Sequence, residues 1–197
     1  MGFDVYGMNP KVNEIDDSEL SVYLKYKDMD FDDKWKVLDK DEELKTKYWE
    51  QQRTFEDVNP GAYFRNNVWW WRPLWHYVCQ TCDDILTEED MEYGESNSGH
   101  KINADKALTI GIRLHAAVYD GSAQEWKDGY DKETAALPKE PCFRCDGNNR
   151  GNNKKKDCTT CDKTGEREAW QASYPFDVEN VERFATFCAE SGGFEIS

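Results

Sequence analysis

Two Cys-x-x-Cys pairs, Cys142-Phe143-Arg144-Cys145 and Cys158-Thr159-Thr160-Cys161, constrain this chain more than any other feature. Each pair makes a turn that points two thiolates at one place, and two such knuckles brought together complete a tetrahedral sulfur cage suited to zinc. The intervening Asn148, Asn149, Arg150, Gly151, Asn152 and Asn153 are turn residues fit for a hairpin tip. Gly147 and Gly165 follow the knuckles, where the chain bends sharply with its amides facing the sulfurs. Four protein ligands leave no open coordination position, so the Zn2+ expected at Cys142, Cys145, Cys158 and Cys161 is structural and not catalytic. Residues 141–167 are therefore expected to form a zinc-ribbon insert in a core domain built from 1–140 and 168–197.

The remainder carries enough bulk for one core. In 197 residues, 38% are apolar and 14% aromatic, with eight Trp, which argues against general disorder despite 33% charged side chains. The longest apolar run, Val68 to Trp71, is far too short to cross a bilayer. The start, MGFDVYGMNP, lacks the basic and apolar regions of a signal peptide, and Tyr6 stands where a myristoylation signal wants Ser or Thr. A cytoplasmic protein of a bacterial or phage-infected cell, with its seven cysteines reduced or metal-bound and no membrane association, is the expectation.

Forty acidic against 25 basic side chains give a net charge of −15, which excludes nucleic-acid binding by the surface as a whole. Inside the insert the balance reverses. Arg144, Arg150, Lys154, Lys155, Lys156, Lys163 and Arg167 outnumber the acids there, so nucleic acid could be touched only by a basic ribbon tip at Arg150 and Lys154 to Lys156. The acidic body suits docking to a protein with a basic surface, or mimicry of nucleic acid, or simply solubility.

Periodicity places the elements. Phe3 and Val5 alternate as a strand, Phe194 and Ile196 do the same after Gly192-Gly193, and the two ends are expected to pair. The charged 18–58 segment keeps Phe31, Trp35, Leu38, Leu44, Tyr48, Gln52 and Phe55 near helical spacing, with Asp30 as a cap, and fits one or two amphipathic helices. Pro73 suits the first turn of a helix carrying Leu74, Val78, Thr81 or Cys82, and Ile85. Thr87 and Asp90 form a capping pair, and 94–101 reads as a polar loop. Asn103 caps a helix on which Leu108, Ile112, His115 or Ala116, and Tyr119 share a face up to Gly121. Ser122 with Glu125 caps the next, and a last helix follows Asp177. The expected class is mainly α (α+β): a helical core, a short β element from the termini and the inserted ribbon.

Cys142-x-x-Cys145-x-Gly147 resembles the start of the C-x-x-C-x-G-x-G repeat in the cysteine-rich domain of DnaJ-type chaperones, with Asn149 in place of the second Gly. The J-domain His-Pro-Asp is missing, so the resemblance does not imply cochaperone activity. Tyr63-Phe64-Arg65-Asn66-Asn67-Val68-Trp69-Trp70-Trp71-Arg72-Pro73-Leu74 and the 174–196 region look like a group of small bacterial and phage proteins that carry the same cysteine insert. That resemblance spans most of the chain beyond residue 60, implies that the acidic 11–58 helical segment is an elaboration, and implies no activity.

Other candidates are less constrained. Cys79 and Cys82 form a third Cys-x-x-Cys, with His76 nearby, which reads as a second metal site or as two small core thiols. Trp69, Trp70, Trp71 and Trp75 could build an aromatic platform, flanked by Arg65 and Arg72 as anion contacts or as partners of the acidic surplus. No nucleophile elbow, phosphate-binding glycine loop or zinc-protease motif is present. The function expected is binding, by a zinc-containing interaction or regulatory protein with a macromolecular partner. The alternative is an enzyme whose pocket beside the Trp cluster uses His76, His100 or His115.

Overall fold

Phe3 and Val5 point inward from the strand on which the two ends of the chain meet. In the computed structural model, which describes residues 2–145 and 158–197, β1 (Gly2–Gly7) pairs antiparallel with β2 (Tyr63–Asn67) on one side and with the C-terminal β6 (Phe194–Ile196) on the other. Val5 lies opposite Phe64 in one ladder and Ile196 in the other, so the apolar faces stay in register. β3 (His100–Ile102) completes a four-stranded sheet of order β2-β1-β6-β3. The terminal pairing is as expected. β2 and β3 are not, because Arg65, Asn66, Asn67, His100 and Lys101 hide the strand signature; edge positions tolerate them since one side of each strand is open.

Helices cover the sheet. α1 (Ser21–Tyr26), α2 (Phe31–Leu38) and α3 (Glu42–Val58) form the acidic segment, three helices rather than one or two. They enclose a small core of their own, Tyr26, Leu38 and Tyr48 with Val22, Tyr23, Trp35 and Leu44 packed on it. The amides of Val22 and Tyr23, left free by the missing cap of α1, donate to Gln51 Oε1 at 2.8 and 2.9 Å, a cap supplied from α3.

α4 (Val68–Thr81) starts five residues earlier than Pro73 implied, because the Asn67 side chain accepts from the amides of Trp69 and Trp70 and opens the helix there. Pro73 then falls inside the helix. The Thr87–Asp90 capping box opens α5 (Glu88–Tyr93), and Asn103 caps α6 (Ala104–Asp120) as expected. α7 (Ser122–Ala135) has no side-chain cap from Ser122, whose amide instead donates to Asp120 Oδ1 at 2.9 Å. α8 (Val178–Glu190) is capped by Asp177. The fold is mainly α with a small antiparallel sheet.

α6 is turned relative to its expected face. Ala107, Ile110, Gly111, Leu114 and Ala117 are buried, while Leu108, Ile112 and Tyr119 remain 48%, 59% and 94% exposed. α6 carries two apolar stripes, and the one with small residues wins because it lets α8 approach. A Cβ on Gly111 would lie 2.7 Å from the Ala189 amide nitrogen and 2.8 Å from the Ala185 carbonyl oxygen. The sacrifice of the bulkier stripe to solvent follows from that close approach.

The main core lies between the sheet and α4, α6 and α8, around Trp71, Trp75, Phe184, Phe187 and Phe194. The two-residue strands β4 (Glu140–Pro141) and β5 (Glu166–Arg167) pair with each other and flank the two Cys-x-x-Cys pairs in the chain.

Candidate metal centre

All four cysteines of the two pairs are buried, and their Sγ atoms lie within 4.8 Å of one another. Cys142 Sγ and Cys158 Sγ are 3.8 Å apart, and Cys145 Sγ and Cys161 Sγ are 3.7 Å apart. A tetrahedron with Zn–S bonds of about 2.3 Å has edges of about 3.8 Å, whereas a disulfide brings sulfur atoms to about 2.05 Å. The spacing fits a metal ion held by four thiolates and does not fit two disulfides. Among the described residues this is the one group of three or more His, Cys, Asp or Glu side chains so arranged.

The local backbone explains how the sulfurs converge. The Cys142 amide donates to the Gly165 carbonyl oxygen at 2.9 Å, which ties the first knuckle to the end of the second. After Cys161 the chain turns through left-handed Asp162 and Lys163 to Gly165 at φ 83°, and the Gly165 amide donates to Cys161 Sγ at 3.3 Å. The expectation for Gly165 holds; Gly147 lies outside the described residues. Burial raises the Cys158 thiol, but the amides of Cys161 and Thr160, with the neighbouring Cys161 and Cys142, outweigh it and bring Cys158 down to about 6. A thiolate is thus favoured before any ion arrives.

A link between this centre and the core is absent from the sequence reading. Arg167, counted there as one more basic ribbon charge, bonds Glu140 at 2.9 Å across the base and lays its guanidinium over the rings of Phe143 (5.2 Å) and Trp170 (5.4 Å). Trp170 in turn packs on Trp69 at 4.8 Å and donates through Nε1 to the Tyr174 hydroxyl at 3.1 Å. The aromatic at Phe143 inside the first knuckle was the only available signal.

The Trp cluster divides. Trp71 and Trp75 are fully buried and donate through Nε1 to the carbonyls of Gly94 and Met91, so neither can serve as a platform. An aromatic run on a helix must send some rings inward, and these two stack at 5.6 Å beneath the sheet. Trp69 and Trp70 are half-buried. Arg72 contacts the Tyr174 hydroxyl at 3.0 Å rather than a carboxylate, and Arg65 Nε lies 3.5 Å from Asp4. Arg150, Lys154, Lys155 and Lys156 lie outside the described residues.

The histidines do not gather. His76 Nε2 meets Gln80 Nε2 at 2.9 Å, His115 faces Thr186 at 3.5 Å, and His100 bonds Asp90 at 2.9 Å. Two grooves among the described residues, of about 550 and 250 Å³, have no histidine in their linings. Burial pushes the Cys79 and Cys82 thiols up to about 12 and 11, and neither belongs to a group of three or more potential metal ligands among the described residues. No helix among the described residues is long and apolar enough to cross a membrane. No known protein family, curated protein or solved structure matches this chain.

Asp90 is a structural ion. Burial works against its charge, but hydrogen bonds from Lys106, the Thr87 amide and His100 outweigh it and hold the carboxyl well below the ordinary 3.8. Its stabilisation is present above about pH 4 and is lost as pH falls through the lowered value. In acid titrations followed by circular dichroism, Asp90→Asn is expected to start from lower stability at pH 7 and to lose less than the parent chain between pH 4 and pH 2; equal losses would remove Asp90 as the source.

Proposed function

We propose that this is a zinc-stabilised binding protein, in which Cys142, Cys145, Cys158 and Cys161 hold a structural Zn2+ and the helical body docks another protein. The sulfur separations of 3.8 Å for Cys142–Cys158 and 3.7 Å for Cys145–Cys161, with all four sulfurs within 4.8 Å of one another, carry the metal assignment. Zinc fits better than softer or redox alternatives on chemical grounds, since it takes four thiolates tetrahedrally with no change of oxidation state. Bound so, it would fix the turn of the insert and leave no position for substrate. Kinship with the bacterial and phage group sharing the Tyr63–Leu74 motif belongs to this proposal and rests on those residues alone.

The outer face of α6 supports the binding role. Leu108, Ile112, Ala116 and Tyr119 form an apolar stripe along a rigid helix, with Asp105 and Asp120 at its ends. A second copy packed antiparallel would set Asp105 against Asp120 and one body of −15 against another. The complementary partner is a different protein whose apolar stripe is flanked by basic residues.

Elemental analysis of the purified chain is expected to give one zinc per molecule; absence of any bound metal overturns the metal reading. Ile112→Glu changes an exposed site, so stability should move by no more than about 0.5 kcal/mol. Retention of the native partner in a quantitative pull-down is expected to drop about tenfold or more, as for a central contact residue. Unchanged retention would remove α6 as the docking face.

A further inference from the structure

Alongside the edge strand β2 runs a groove of about 550 Å³ that neither the metal centre nor the α6 face uses. One wall is a single face of α3, where Trp49, Gln52, Arg53, Glu56 and Asp57 follow one another at helical spacing. The opposite wall is Tyr63, Phe64 and Arg65 of β2 with Arg183 and Thr186 of α8. Three arginines from three elements therefore face one space, against two carboxylates, in a chain of net charge −15.

Their bonding is the unusual part. With 40 acidic side chains available, Arg53 and Arg183 have no carboxylate within ion-pair distance among the described residues. Arg183 lies over the Phe64 ring at 5.6 Å, and Arg65 reaches Asp4 only through Nε at 3.5 Å, which leaves the rest of its fork free. Glu56 is occupied by Gln52, whose amide donates to it at 2.7 Å, and burial pushes its carboxyl up. A guanidinium presents a planar fork matched to the oxygens of a phosphate or carboxylate. Trp49 stands exposed at the rim, stacked on Trp35 at 5.4 Å with Tyr63 across the groove. The volume is that of a small-molecule site.

We propose that this groove binds a small phosphate ester bearing a flat ring, of the nucleotide class, with Arg53, Arg65 and Arg183 on the phosphate and Trp49 beside the ring. The site forms only where α3 of the acidic segment meets β2 and α8, so it gives α3 a role beyond solubility.

The test is calorimetric titration of the full chain with AMP, with inorganic phosphate and adenosine as separate arms. AMP is expected to bind more tightly than either fragment, and its affinity should fall as salt is raised. Arg53→Ala and Arg183→Ala are each expected to weaken AMP by about tenfold or more, the loss of one charged hydrogen bond. Arg183→Lys should recover only part, because the fork is lost. Lys47→Ala, exposed on the same helix outside the groove, should leave binding unchanged, and melting curves verify that each variant is folded. The proposal is overturned if AMP and phosphate both give no signal up to about 5 mM, where even a millimolar site would be largely filled. It is equally overturned if adenosine binds as well as AMP, or if the arginine variants bind AMP like the parent chain.

Discussion

Cys158→Ser is expected to abolish metal binding and unfold the insert while the helical core keeps its ellipticity. Cys158 Sγ forms one edge of the four-sulfur cluster with Cys142, and a hydroxyl there is a poor ligand for the same ion. Structural zinc in small modules contributes about 10–16 kcal/mol to folding, so loss of one thiolate from a closed site removes most of what orders the segment. The core has its own source of stability in the cluster around Trp71 and Phe184, and β4 and β5 at the base of the insert pair with each other and not with the four-stranded sheet. The same variant should change tryptophan emission, since the Arg167 guanidinium rests on both Phe143 and Trp170. Zinc analysis, far-ultraviolet dichroism and fluorescence together decide the matter. Cooperative loss of the helical signal would show that the insert is part of the core.

Trp71→Ala should be the most damaging single change in the body of the protein. Its indole is fully buried, stacks between Phe3 at 5.1 Å and Trp75 at 5.6 Å, and meets Phe184 edge-on at 5.5 Å. Truncation leaves a cavity costing about 3–5 kcal/mol, and the Gly94 carbonyl loses the bond it accepts from Nε1 at 2.8 Å. Domains of this size have about 5–15 kcal/mol in total, so a large share of the stability goes with one side chain. Trp70→Ala, at a half-buried neighbour, should cost no more than about 1–2 kcal/mol. Urea unfolding of the two variants side by side gives the comparison, and similar midpoints would contradict the division of the Trp run into core and surface members.

That division shows where sequence reasoning stops. The run from Trp69 to Trp75 announced a core element, but which rings it buries depends on the starting point of α4. That was set by the Asn67 side chain rather than by Pro73. On α6 side-chain bulk points to the wrong face. Leu108, Ile112 and Tyr119 look like a core face until Gly111 is seen against the backbone of Ala185 and Ala189. Hydrophobicity ranks side chains one at a time, whereas helix packing is decided by how closely two backbones can approach.

The four-cysteine cluster was legible because its information is local: two Cys-x-x-Cys turns and a glycine turn bring the sulfur atoms together whatever the rest of the chain does. Caps at Asp30, Asn103 and Asp177 and the alternation at both termini were legible for the same reason. The groove at Arg53, Arg65 and Arg183 was not, since these residues are separated by up to 130 positions and share no motif. By itself the sequence determined what is set by neighbours along the chain, namely the sulfur ligands, the helix starts and the strand-forming ends. Only the tertiary structure decided which apolar stripe faces inward, which tryptophans are core, and which arginines meet in one groove, because those outcomes depend on distances between elements that no local pattern encodes.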